Sequence, residues 1–144
     1  MKVKIKRIDS TLPLPEYHTS GAVGFDLIAR ETVTIPAKGL EFVPNNVIIK
    51  IPEGYMLLLA NRSSTAKKRG LTIANGIGII DQDYCGNEDE LKTLFYNMTD
   101  EPVTVQRGER LSQCVFVRVD QGEWEEVEEM SDPTRGGFGT TDKV

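Results

Sequence analysis

At 144 residues the chain is long enough for one domain with a sizeable core. Its 22 acidic and 17 basic residues leave a net charge of −5, which excludes a large phosphate-backbone footprint and hence direct nucleic-acid binding. Two cysteines without CxxC spacing, Cys85 and Cys114, and a single histidine, His18, exclude a disulfide framework and a deaminase-type zinc site, and argue against a Ser-His-Asp triad.

At the N-terminus Lys2, Lys4 and Lys6 alternate with Val3 and Ile5, and no apolar run follows, so no signal peptide is expected. The longest apolar stretch, Met56 to Ala60, is too short to span a bilayer. A soluble, intracellular, cytoplasmic protein without membrane contact is the expectation. Val3 to Ile8 reads as an exposed edge strand, and His18 as an exposed residue of a Pro-flanked loop. Strands are expected over Phe25 to Ala29, Thr32 to Ile35, Asn46 to Ile51 and Tyr55 to Ala60. Pro36-Ala37-Lys38-Gly39 and Pro52-Glu53-Gly54 divide them.

One helix is expected. Ser63 or Ser64 can cap it, Thr65 to Arg69 form its turns, and Gly70 can end it. Lys67, Lys68 and Arg69 suit its last turn and read as solvated, because the macrodipole favours cations there. The helix start, with Arg62, Ser63 and Ser64, is either a compact anion site or an ordinary serine cap beside a surface arginine.

The segment Ile73 to Gly86 is the most informative. Asn75-Gly76 between apolar runs predicts a type I′ hairpin turn joining Leu71–Ala74 to Ile77–Ile80. Along an extended strand Asp81 and Asp83 would share a face. Two carboxylates so close repel unless a cation, a water or a raised pKa relieves them. The pair is therefore either chemistry or an acidic strand end. Further strands are expected over Glu90 to Asn97, Val103 to Gln106 and Leu111 to Val119, with the acidic Asn87 to Glu90 a solvated bulge. Spacing and turn signals together predict an all-β barrel or sandwich without internal repeats.

The last stretch, Ser131 to Val144, has three glycines, one aromatic ring and little apolar surface. It reads as a disordered tail, or as a flap with a cation, backbone amides and two hydroxyls to offer.

Five separated segments together resemble the trimeric deoxyuridine triphosphate nucleotidohydrolases, the dUTPases. In order they are Gly21 to Leu27, Arg62-Ser63-Ser64 through Gly70-Leu71, Asn75 through Gly86, Gly108 to Gln113, and Arg135 to Thr141. The resemblance implies a jelly-roll-like β barrel or sandwich of the β-clip type, with one short helix and a flexible C-terminal arm. Residues 1–130 would form the domain, and residues 131–144 the arm closing over the active site. It implies hydrolysis of dUTP to dUMP and pyrophosphate, which limits uracil incorporation into DNA and supplies dUMP for thymidylate synthesis. A homotrimer with shared active sites and a divalent metal, normally Mg2+, comes with it.

Residue by residue, the resemblance makes Asp81 the general base for a water attacking the α-phosphorus. Tyr84 would pack on the deoxyribose and exclude a 2′-hydroxyl. Asn75, Gly78 and Ile80 belong to the segment that would read uracil through its backbone. Arg62, Ser63, Ser64 and Gln113 would hold phosphate oxygens, and Asp26 a metal-bound water. From the arm, Phe138 would stack over uracil while Arg135, Gly139, Thr140 and Thr141 reach the outer phosphates. Some features depart from the family pattern: the arm is short between Arg135 and Phe138, Cys85 stands where Arg or Gln is common, and Asn87 to Glu90 lengthens the loop after Tyr84. Asp142 also stands where a glycine is common. The rival readings are a deoxycytidine triphosphate deaminase of the same fold and a noncatalytic nucleotide-binding module.

Overall fold

Alternating apolar residues and β-branched side chains produce short strands throughout the computed structural model, which describes residues 1–140. The strands are β1 (Lys4–Arg7), β2 (Gly24–Leu27), β3 (Val33–Ile35), β4 (Leu40–Pro44), β5 (Val47–Lys50) and β6 (Tyr55–Asn61). After helix α1 (Thr65–Arg69) come β7 (Leu71–Ile73), β8 (Gly78–Ile80), β9 (Lys92–Asn97), β10 (Val103–Val105) and β11 (Ser112–Arg118). All recorded pairings are antiparallel. One sheet runs β2-β11-β6-β8 and another β4-β9-β7, with the ribbons β1-β5 and β10-β3 closing the sides. The fold is a jelly roll, almost wholly β with one short helix.

The inward faces of the two larger sheets share one core. Phe25, Leu27, Leu57, Leu59 and Cys114 come from the first, and Val43, Leu71, Ile73 and Phe95 from the second. Each large apolar side chain buried there stabilises by about 1.5–3 kcal/mol relative to exposure. Burial also pushes the Cys114 thiol up, so it stays protonated and packs as a small apolar group. Thr93 bridges Asn45 and Ser112 by hydrogen bonds of 2.8 and 3.0 Å, which lets these buried polar groups sit in the core.

Several expectations need correction. β4 was not anticipated, because its Leu40 and Phe42 are exposed while Val43 is buried, so its alternation runs against the usual apolar-in pattern. β7 and β8 do not form a hairpin: β7 pairs with β9, and β8 with β6. The connection between them passes from one sheet to the other. Its turn is closed by the Gly76 amide donating to the Ile73 carbonyl at 2.9 Å, so Ala74 and Asn75 are the central residues. Only Gly76 has positive φ, at 80°, and the turn is therefore not type I′.

At α1, Ser64 takes the N-cap position without a side-chain capping bond, and Gly70 ends the helix in the left-handed conformation as expected. Arg69 is not free in solvent: it pairs with Glu109 and donates to the Thr104 carbonyl at 2.6 Å. No helix of the described residues is long and apolar enough to cross a membrane.

Candidate active site

The sheet-to-sheet crossing opens a cleft of about 450 Å³. Asn75, Gly78 and Ile80 line it together with Asp81 and Tyr84, so these sequence-predicted residues do converge. Its apolar wall also includes Phe42, Leu59 and Ile73, and Lys92 adds a cation at the rim. Phe42 and Lys92 were missed. Recognising the Leu40/Phe42 alternation as a strand facing a ligand instead of a core would have found the first. A slot of this size, with an apolar wall and a few polar groups, suits a planar heterocycle.

Gly78 has an additional structural reason to be glycine. A Cβ there would approach the Leu59 Cβ at 3.0 Å, tighter than an ordinary contact, so the neighbouring strand would have to shift by a few tenths of an ångström. Substitution at Gly78 therefore strains the β6–β8 pairing as well as narrowing the cleft. It cannot separate binding from folding.

Asp81 and Asp83 do not lie on an extended strand. β8 ends at Ile80, and the Tyr84 amide donates to the Asp81 carbonyl at 3.3 Å, closing a β-turn over residues 81–84. The turn separates the two carboxylates. Asp81 lines the cleft, whereas Asp83 lines a neighbouring depression bordered by Tyr55, Met56 and Gln82, which Asp81 also borders. The Tyr84 ring forms part of the cleft wall, and its hydroxyl donates to the Glu90 carbonyl at 3.2 Å. Burial first, then Asp89 and Glu90, raises the phenol further above its ordinary value, so it stays a neutral donor at physiological pH.

A second cluster forms around Asp26, which is 8% exposed. His18 Nε2 lies 3.2 Å from one carboxylate oxygen and Arg62 Nε 3.2 Å from the other. Arg62 Nη1 also donates to the Arg110 carbonyl at 2.8 Å. His18 is thus half-exposed but engaged, a role its loop position did not reveal. Gln113 sits opposite Asp26 across the β2–β11 ladder, and its amide donates to the Asn61 carbonyl at 3.0 Å. Gly24 leaves room for it, since a Cβ there would meet Gln113 Oε1 at 2.6 Å. Among the described residues the hydroxyls of Ser63 and Ser64 make no hydrogen bond, which leaves both available beside Arg62.

The two clusters do not meet within one chain. β2 and β8 stand at opposite edges of a four-stranded sheet, three strand spacings or roughly 14 Å apart. The register widens the gap further: Gln113 lies opposite Ala60, whereas Ile80 lies opposite Leu57.

Among the described residues no group of three or more His, Cys, Asp or Glu side chains forms a metal cage. Both Asp26 oxygens are engaged, one by His18 and one by Arg62, so the donor set does not fit a direct all-protein metal cage and would suit only a metal held through water.

Beyond β11 the chain leaves the barrel. Residues 120–136 are all exposed, with Trp124 at 95%. Arg135, Phe138, Gly139 and Thr140 lie away from the cleft, and the Phe138 ring is fully exposed. Gly137 and Thr140 close a small turn, with bonds of 2.6 Å from the Gly137 amide to Thr140 Oγ1 and 3.1 Å from the Thr140 amide to the Gly137 carbonyl. Thr141 and Asp142 lie outside the described residues.

Comparison with known proteins places this geometry in context. The sequence profile of the dUTPase family matches residues 10–142. A deoxyuridine 5'-triphosphate nucleotidohydrolase of Fusobacterium nucleatum is 40% identical over 147 residues, covering 99% of each chain. The crystal structure of dUTPase from Streptococcus mutans is 33% identical, with a TM-score of 0.76 over 83% of this chain and 98% of that one. A Staphylococcus bacteriophage 80alpha dUTPase with dUPNHPP is 25% identical, with a TM-score of 0.84 over 96% of each chain.

Proposed function

The chain belongs to the dUTPase family, and on that premise we propose that it hydrolyses dUTP to dUMP and pyrophosphate in sites completed by neighbouring copies of itself. The observation that carries the reading is the cleft in which Asn75, Gly78, Ile80, Asp81 and Tyr84 converge.

Uracil enters the apolar slot and meets backbone amides and carbonyls of the 75–80 segment, so no charged side chain is needed to select it. Tyr84 packs against deoxyribose and fills the space a 2′-hydroxyl would take. Asp81 orients a water and accepts its proton as the oxygen attacks the α-phosphorus. The new P–O bond forms in line with the bond that breaks, and pyrophosphate leaves. Arg62, Ser63, Ser64 and Gln113 hold phosphate oxygens. Enzymes of this family generally depend on a divalent metal; when bound, magnesium supplies positive charge to the phosphate oxygens, with Asp26 holding one of its waters. The arm then closes: Phe138 covers the base, and Arg135, Gly139 and Thr140 reach the outer phosphates.

The separation of the two clusters supports sites shared between subunits, and the homotrimer is the assembly the family resemblance implies. Asp81 and Arg62 stand too far apart in one chain to grip the same triphosphate. The exposed Trp124, Val127 and Met130 support the assembly, since they leave apolar surface for a second copy to cover.

Two experiments test this. Pyrophosphate release measured across dUTP, dCTP, dTTP and UTP should be fast for dUTP alone. Ammonia release from dCTP would replace the reading with a deaminase, and tight binding without turnover would replace it with a binding module. The second mixes Asp81→Asn subunits with Arg62→Ala subunits. Each variant alone should be nearly inactive, whereas an equal mixture refolded together should recover about one quarter of parental activity. That figure is one half times one half for each neighbouring pair of subunits. No recovery would place both residues in one subunit's site.

A further inference from the structure

Tyr84 is tied down by a part of the chain that the sequence presents as an acidic loop. Residues 86–89 fold on themselves, the Gly86 amide donating to Asp89 Oδ2 at 2.6 Å and the Asp89 amide to the Gly86 carbonyl at 3.1 Å. Glu90 is different. It is 8% exposed, against the expectation of a solvated bulge running through it. Arg30 grips its carboxylate with two bonds, Nε at 2.7 Å and Nη2 at 3.0 Å. The Asn46 amide adds a third at 2.9 Å. Leu91 completes the anchorage, donating to the Val47 carbonyl and accepting from the Asn45 amide, both at 2.9 Å.

The Glu90 backbone is therefore a fixed point, and its carbonyl is the group that accepts the Tyr84 hydroxyl. At its other end the Tyr84 amide is bonded, among the described residues, to the Asp81 carbonyl. We propose that Glu90, clamped by Arg30, is a positioning residue that sets the Tyr84 ring and thereby the discrimination against ribonucleotides. The inference rests on the reading of Tyr84 as the sugar gate. Its physical basis is that a bidentate guanidinium–carboxylate pair, largely removed from water, fixes a carboxylate in orientation as well as position. Glutamine at 90 keeps the shape but loses the charge-assisted fork, and lysine at 30 keeps the charge but loses the planar one.

The measurement is the ratio of kcat/KM for dUTP to kcat/KM for UTP, taken on the full chain with magnesium, alongside the melting temperature. A purely structural role lowers the active fraction, which scales both substrates alike and leaves the ratio unmoved. Glu90→Gln and Arg30→Lys should each lower the ratio by about threefold or more, and Tyr84→Phe by about 5-fold, the equivalent of one lost hydrogen bond. In the Tyr84→Phe background Glu90→Gln should lower it no further, because both act on one contact. An unchanged ratio in Glu90→Gln and Arg30→Lys, or fully additive losses in the double variant, overturns the inference. Tyr84→Ala separates the two ideas. If it relaxes discrimination while the clamp variants do not, the gate stands and the clamp falls. If it leaves the ratio intact, the gate itself is wrong.

Discussion

Asp81→Asn should lower turnover by about 10³-fold while leaving the fold, the melting temperature and dUTP affinity near those of the parent. The substitution exchanges one oxygen for an amide nitrogen of the same size, so an exposed turn residue causes no packing change. What it removes is the acceptor proposed to hold and deprotonate water. Asp83 lies two residues away in the same turn but borders the adjoining depression, so it cannot take over the task. Asp83→Asn serves as the control and should change turnover far less. Single-turnover hydrolysis together with equilibrium binding of dUTP checks both variants. Near-parental chemistry in Asp81→Asn would remove it as the base, and an equal loss in Asp83→Asn would restore the carboxylate pair as a unit.

Removing every residue after Asp132 should lower turnover by about 10²-fold or more, with melting temperature and oligomeric state unchanged. Within the described residues the hydrogen bonds of this stretch are local, Gly136 to Thr134 and the Gly137–Thr140 turn, so the barrel loses none of its own contacts. The exposed Phe138 ring and the glycines around it hold no position on the body. In the proposed mechanism they act by closing over bound nucleotide. Sedimentation and thermal melting report the assembly and fold, and pyrophosphate release reports the arm. Full activity in the truncated chain would mean that the cleft excludes water and orients the triphosphate unaided.

Local signals carried much of the fold. β6 reads as an apolar run from Tyr55 to Ala60 after the Pro52-Glu53-Gly54 turn signal, and Gly70 marks the end of α1 because glycine adopts φ near 64° without a side-chain penalty. Partner choice was not legible. Asn75-Gly76 announces a turn, but a turn signal does not say that the flanking strands belong to one sheet, and here they do not. β4 was hidden because Leu40 and Phe42 face outward. Glu90 was hidden by the acidic run before it and by a partner 60 residues earlier, Arg30. His18 was concealed for another reason: Asp26 is only 8 residues on, but an irregular loop has no periodicity to show which way its side chain turns. Asp81 and Tyr84 were recognisable through the family motif, and their arrangement as the two ends of one turn was not.

That turn has an evolutionary consequence. The Asp81 carbonyl and the Tyr84 amide are bonded to each other, so a shift at either end of the 81–84 segment tilts the other. With the roles proposed for Tyr84 and Asp81, a heritable change that makes room for a bulkier sugar would also disturb the proposed base. The proposed roles would then link substrate range and catalytic speed over four residues. Descendants that broaden their diet by altering this turn should become slower on every nucleotide, and the accessible routes to new substrates should begin elsewhere, at the cleft wall around Phe42 and Lys92.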